Sequence, residues 1–169
     1  MRRIVLGSFF MVAVVVIATA GIETFAADPV PDSPGAKTTR EKKLKAKISV
    51  DSSGGGGMML REIIDEIVGE VRSAKAGTIR IKPDPKAGIT LTTRIKFKSD
   101  KEPLEDVLAK LFDASGRPWG YYVYVSSKKD DQDDGAIIIV ADATCRGYPP
   151  GDPRNKKADT KKEEPKKDK

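Results

Sequence analysis

The spacing of apolar residues between positions 44 and 148 constrains the fold of this 169-residue chain more than any other feature. Two stretches, Met58 to Ala74 and Pro103 to Gly116, carry apolar side chains at intervals of three and four, as a helix with one buried face does. Five others alternate or run as short apolar segments, as strands do: 44–50, 78–82, 89–97, 119–125 and 136–140. The order strand, helix, strand, strand, helix, strand, strand predicts a small α+β domain.

The two flanks of this domain differ from it in composition. Residues 28–43 contain three prolines and seven charged side chains, and residues 149–169 contain four prolines and several lysine pairs. Such segments offer few side chains to a core. We therefore expect a disordered linker over 28–43, a folded domain over 44–148, and a disordered lysine-rich tail over 149–169.

The amino terminus has the pattern of a secretory signal peptide over residues 1–27. Arg2 and Arg3 precede an apolar run from Ile4 to Ala20, and small residues follow. We expect cleavage after Ala26 or Ala27, with Ala20 as the second choice, and hence an exported protein of the periplasm or the extracellular space. The alternative is an uncleaved anchor, for which a run of this length is short.

The composition excludes several classes of active site. The chain has no histidine, which removes the Ser-His-Asp and Cys-His nucleophile pairs and histidine-ligated zinc. Its one cysteine, Cys145, is too few for a multi-cysteine metal site or an internal disulfide. We predict no catalytic residue, no cofactor and no metal; an enzyme would have to use carboxylates such as Asp84 or Glu105, both of which suit turn or capping roles.

The apolar pattern as a whole resembles the short amino-terminal domain of secretins and TonB-dependent receptors. Ile89-Thr-Leu with Ile95-Lys-Phe97 is similar to the middle strand of that family, and Glu102 to Phe112 is similar to its Pro-Leu-x-x-x-Leu helix. Met59 to Val71 matches its first helix, and the aromatic and Ile-Ile-Ile-Val strands match its closing hairpin. The resemblance implies a small α+β fold with two helices packed between or against two small sheets. It also implies a non-enzymatic protein-interaction module of the cell envelope. It implies no individual contact residue.

The aromatic strand carries the candidate contact residues for a protein partner. Side chains alternate across a strand, so Tyr122 and Tyr124 share one face, while Trp119, Tyr121 and Val123 share the other. One set belongs to the core and the other forms a contact patch, for which Tyr122 and Tyr124 are the candidates. Binding through an exposed sheet edge, by strand addition, or through a helix face is the expected mode.

The lysine pairs of the tail suggest an alternative function. The basic flanks would bind an anionic envelope polymer or a membrane surface, and the candidate residues are Lys156, Lys157, Lys161, Lys162, Lys166 and Lys167. Interleaved acidic residues offset half of this charge. Export disfavours nucleic acid as the ligand.

Three further segments have simple structural interpretations. The acidic run from Asp130 to Gly135 lacks the ligand spacing of a calcium loop, and we predict a hairpin turn there. The segment from Gly54 to Gly57 is not followed by the Lys-Ser/Thr sequence that ends a phosphate-binding loop, and we predict a flexible loop there. Cys145 is expected to be buried and inert, the alternative being pairing with another chain.

Overall fold

A computed structural model describes residues 30–128 and 130–157, and these form an α+β fold. The α-helices are α1 (Pro34–Thr38), α2 (Leu60–Ser73) and α3 (Leu104–Ser115), and a π-helical turn, Thr39–Lys43, continues α1. The strands are β1 (Lys47–Asp51), β2 (Met58–Met59), β3 (Ile81–Pro83), β4 (Arg94–Ile95), β5 (Lys98–Pro103), β6 (Gly120–Val123), β7 (Ile137–Val140) and β8 (Arg146–Gly147). The small α+β class predicted from the sequence is therefore confirmed.

The described strands form three sheets rather than the predicted two. β1 pairs with β5, and β2 pairs with β4, both antiparallel. The third sheet has the order β3-β7-β6-β8, in which β7 is antiparallel to β6 and parallel to β3. Because β7 is an inner strand, all four of its residues are buried, as its continuous apolar sequence predicted.

A single main core joins the helices to the sheets. On α2 the buried positions include Leu60, Ile63, Ile67 and Val71, which follow the helical period. Phe112 of α3 packs its ring edge-on against Trp119, with the ring centroids 6.5 Å apart. Helix α3 therefore lies against one face of the four-stranded sheet, which we call the inner face.

The prediction of a disordered linker over residues 28–43 is wrong for residues 34–43, which are helical. Ser33 caps α1, since its hydroxyl accepts a hydrogen bond from the Ala36 N–H at 3.2 Å, and Pro34 occupies the first turn. Ala36 is buried in the main core, and the buried Thr39 hydroxyl donates to the Gly135 carbonyl at 2.8 Å. The segment is ordered because these few residues have specific partners on the domain, although its composition is polar.

The prediction of one strand over residues 89–97 is also wrong, since only Arg94 and Ile95 form strand β4 there. The carbonyls of Leu91 and Thr93 instead accept hydrogen bonds from the N–H groups of Arg61 and Leu60, at 3.0 and 2.8 Å. These N–H groups belong to the first turn of α2 and have no partner within the helix. The loop therefore caps α2, while the polar residues that follow form strand β5, which the alternation rule does not detect.

The prediction of a disordered tail over residues 149–169 is wrong for residues 153–157. Pro153–Lys157 form a 3₁₀ helix, and the buried Asn155 donates to the carbonyls of Tyr148 and Pro149 at 3.1 and 2.8 Å. The predicted signal peptide and the four lysines from Lys161 to Lys167 lie outside the described residues. Among the helices that are described, none has the length and apolarity needed to cross a membrane.

Candidate functional site

The face of the four-stranded sheet that points away from α3, the outer face, carries a separate small apolar cluster. Its buried members are Ala136, Ile138, Val140 and Cys145. Tyr122 and Tyr124 pack against this cluster but remain partly exposed, whereas Trp119, Tyr121 and Val123 are buried in the main core. The predicted division of the aromatic strand into two faces is therefore confirmed, with Tyr122 and Tyr124 on the face not occupied by α3.

A groove of about 460 Å³ opens on this outer face. Ile138, Tyr122 and Tyr124 line it from the sheet. The opposite wall is the chain from Lys82 to Lys86, and Asp133 lies at its margin. We call this the outer groove.

The wall of the outer groove is a turn with fixed geometry. The Asp84 N–H donates to the Ile139 carbonyl at 2.8 Å, which attaches the turn to β7. The Asp84 carboxylate accepts from the Lys86 N–H at 2.9 Å and caps the 3₁₀ helix Pro85–Ala87. Two prolines, Pro83 and Pro85, restrict the backbone on either side of Asp84. The backbone of this wall is therefore held in a fixed conformation.

Charges of both signs surround the groove. Asp133 pairs with Lys82 at 2.6 Å and with Arg80 at 3.3 Å, and the hydrogen bond from Lys82 holds the pKa of its carboxyl below the usual range. Burial, with the Asp84 carboxylate as a smaller cause, raises the pKa of Tyr122. The groove thus combines an apolar floor with tyrosine hydroxyl groups that can form hydrogen bonds, as aromatic peptide-binding surfaces do.

Three of the four carboxylates of the acidic turn, those of Asp131, Asp133 and Asp134, are engaged by protein groups. Asp134 accepts hydrogen bonds from the Ser33 hydroxyl, from the Gly35 N–H at 3.0 Å and from the Ser126 N–H at 3.1 Å. Asp131 accepts from the Ser126 hydroxyl at 2.7 Å. Within residues 30–128 and 130–157, no group of three or more metal-ligating side chains is placed to hold an ion. Gly135 has the positive φ of 79° expected for the turn.

The candidate acid–base carboxylates named from the sequence, and Cys145, have structural surroundings of their own. Glu105 pairs with Lys45 at 2.5 Å, and Asp84 caps the turn described above. Cys145 is fully buried, and burial, followed by the charge of Asp142, raises the pKa of its thiol to about 11. Such a thiol carries little thiolate and is a poor nucleophile.

Sequence reasoning found the two tyrosines of the groove but missed its other wall. Lys82, Asp84 and Asp133 come from a strand end and from a turn that are about 50 residues apart. The Pro-Asp-Pro sequence at 83–85 was available as a turn signal. Nothing local, however, indicated that this turn faces Tyr122.

Comparison with protein-family models, with characterised proteins and with solved structures finds no match to this chain. The resemblance to the short amino-terminal domain of secretins and TonB-dependent receptors therefore stays a prediction from the sequence.

Proposed function

We propose that this protein is an exported, non-enzymatic interaction module of the cell envelope, and that its outer groove binds a segment of another envelope protein. The observation that carries the proposal is the placement of Tyr122 and Tyr124, which are partly exposed beside a turn of fixed conformation. The resemblance stated above supports the same class of function. The signal-peptide pattern of residues 1–27 supports export.

The edges of the four-stranded sheet favour the groove over strand addition to that sheet as the binding mode. The outer strands of the four-stranded sheet are β3, with three residues, and β8, with two. β3 ends at Pro83, which has no N–H to donate to an added strand. A partner would find few backbone groups at these edges, whereas the groove offers aromatic, proline and charged side chains together.

The proposal is tested by affinity capture from envelope extract with the chain from Asp28 to Lys169 as bait. Three variants are compared with the parent: Tyr124→Ala, Lys86→Glu and, as control, Asp65→Lys on the exposed side of α2. Tyr124→Phe is added because it keeps the ring and removes only the hydroxyl.

We expect the parent, Asp65→Lys and Tyr124→Phe to retain the same discrete protein. Tyr124→Ala and Lys86→Glu should lose it by a factor of about ten, with melting temperatures close to that of the parent. Retention of the protein by both groove variants would contradict the proposal, and so would the absence of any protein captured by the parent.

A further inference from the structure

The outer groove continues beyond Tyr124. A second hollow of about 450 Å³ adjoins it, and Tyr124 lines both. The other residues that line this hollow are the chain from Val30 to Pro34 and the chain from Val125 to Ser127, which follows β6. We call it the middle hollow. Because the outer groove and the middle hollow share Tyr124, one ligand can contact both.

A third hollow, of about 530 Å³, extends the middle hollow. The two share four lining residues: Ser33, Pro34, Ser126 and Ser127. The other residues that line the third hollow are charged: Lys128, Asp130, Asp131 and Asp134. Among the described residues, three carboxylates and one ammonium group give it a negative charge. We call it the acidic hollow, and we call the outer groove and the two hollows together the extended groove.

The wall formed by residues 30–34 is held in place by contacts with the rest of the domain. The Ser33 hydroxyl donates to the Asp134 carboxylate. The guanidinium of Arg154 donates to the Val30 carbonyl at 3.3 Å. Asp32 forms an ion pair with Arg40, whose side chain is only 11% exposed. This wall of the extended groove is therefore part of the folded domain.

The middle of the extended groove is apolar and open to solvent. The side chain of Val30 is 60% exposed, more than any other large apolar residue of the described chain. Pro31 and the partly exposed Tyr124 line the same hollow. Two more prolines lie in the turn of residues 83–85, which lines the outer groove. An apolar ligand that covers these side chains removes their surface from water, which is favourable.

The length and shape of the extended groove suit an extended peptide. Tyr122, Tyr124 and Ser126 line it one after another, and an extended chain of four steps spans about 13 Å. A polyproline II helix rises about 3.1 Å per residue, so about four of its residues cover this distance. Such a helix needs no partner strand for its backbone, and aromatic grooves bind it through its proline rings.

The acidic hollow favours a positively charged group on the ligand. The hydrogen bond from the Ser126 hydroxyl at 2.7 Å, followed by that from the Asp133 N–H at 2.9 Å, holds the pKa of the Asp131 carboxyl below its usual range. Asp131 is therefore ionised at neutral pH, and the neighbouring Asp130 is exposed. A lysine or arginine placed in this hollow gains from electrostatic complementarity. The outer groove, by contrast, is lined by two basic and two acidic side chains.

We propose that the extended groove binds a proline-containing segment of the partner in the polyproline II conformation, with a lysine or arginine at the end that reaches the acidic hollow. The apolar side chains of the segment pack on Tyr122, Tyr124 and Val30, and its cation lies beside Asp130 and Asp131. This inference rests on the proposed function of the outer groove and goes beyond it, because it names the conformation and the chemistry of the segment that binds there.

The test begins with selection from random dodecapeptides displayed on phage, with the chain from Asp28 to Lys169 as the target. The enriched peptides are then synthesised with a fluorescent label, and their affinity is measured by anisotropy at 0.1 M salt. Each is compared with a copy in which glutamine replaces the basic residue. The protein variants are Tyr124→Ala, Asp130→Asn and, as the control with the same change in charge, Asp65→Asn on the exposed side of α2. Asparagine tolerates the positive φ of 62° at position 130.

We expect the enriched peptides to share two or more prolines and a basic residue near one end. Tyr124→Ala should weaken their binding about tenfold, with a melting temperature close to that of the parent. Glutamine in place of the basic residue should weaken binding to the parent about threefold. That loss should be smaller in Asp130→Asn and unchanged in Asp65→Asn.

Several results would overturn this inference. Enriched peptides that lack proline, that carry acidic ends or that bind Tyr124→Ala as well as the parent would do so, and so would the absence of any enriched peptide. A dimer of the chain in analytical ultracentrifugation that Tyr124→Ala dissociates would assign the groove to a second copy instead. A captured envelope protein whose contact segment lacks proline would overturn this inference and leave the proposed function intact, so the two fail separately.

Discussion

The two faces of the four-stranded sheet are covered differently, although their residues alternate along the same two strands. On the inner face, Tyr121 and Ile139 are buried against the helices, and the Tyr121 ring lies 6.3 Å from that of Phe112. On the outer face, Tyr122 lines an open groove and Ile138 forms part of its floor. One set of side chains therefore stabilises the fold, and the adjacent set is available for recognition.

The two faces are covered differently because the inner face packs against an amphipathic helix and the outer face does not. Helix α3 supplies Leu108, Leu111 and Phe112 to the main core, which the inner face of the sheet shares. Among the described residues, shorter pieces border the outer face: the loop around Cys145 at one end and the turn from Lys82 to Lys86 at the other. Because these pieces do not meet above Tyr122 and Tyr124, an apolar groove remains.

The largest expected effect comes from truncating neighbouring tyrosines on opposite faces. Tyr121→Ala should lower the free energy of unfolding by about 4 kcal/mol, since it opens a cavity in the main core. Tyr122→Ala should cost only about 1 kcal/mol, because part of its ring is already in contact with water. Urea unfolding followed by circular dichroism measures both, and equal losses would contradict the assignment of the two faces.

A second prediction concerns the closed end of the outer face. Cys145 is buried and the pKa of its thiol is raised to about 11, so at pH 8 it should react with iodoacetamide about a hundredfold more slowly than the unfolded chain does. Mass spectrometry of samples quenched over time gives both rates. A native rate close to the unfolded one would show that the outer cluster is open at this end as well.

A third prediction tests the contact that orders residues 34–43. Asp134→Asn removes the charge that accepts hydrogen bonds from Ser33, Gly35 and Ser126. We expect a loss of about 1–2 kcal/mol and faster amide exchange confined to α1 and the π-helical turn. Asp113→Asn, at an exposed position on α3, is the control and should change neither quantity.

The smallest expected effect is the pH dependence of the same contact. Burial opposes ionisation of Asp134, but the hydrogen bonds from Ser33, Ser126 and Gly35 outweigh it and lower the pKa of its carboxyl. A lowered pKa in the folded state adds stability above the unfolded value of about 3.9, and this stability is lost as the pH falls through the folded pKa. The parent should therefore lose more stability than Asp134→Asn between pH 5 and pH 2, and parallel losses would contradict this account.

The parts of the fold that could be predicted from the sequence are those in which the local spacing of apolar residues determines the structure. The apolar faces of α2 and α3, the fully buried strand β7 and the division of the aromatic strand all follow from intervals of three and four or of two. The left-handed glycine Gly116 ends α3 as expected, with φ at 63°.

The parts that were missed depend on contacts between distant residues. The Ser33-Pro34 pair signals a helix start, but the partner that secures this helix is Asp134, about 100 positions away. Strand β5 is polar, with only Ser99 buried, and it is ordered by pairing with β1. The wall of the outer groove likewise depends on the bond from Asp84 to Ile139. No local pattern could have given any of these three contacts.

The most direct test of the central claim is site-specific photocross-linking in intact cells. A benzophenone side chain placed at Tyr124 reports on the outer groove, and the same side chain at Asp65 on α2 reports on the rest of the surface. We expect one discrete cross-linked envelope protein from position 124, absent from position 65 and reduced by Lys86→Glu. Two results would contradict the claim that the outer groove is where this protein binds its partner. One is the same cross-linked product from both positions, and the other is no product from position 124 although the protein is present and folded.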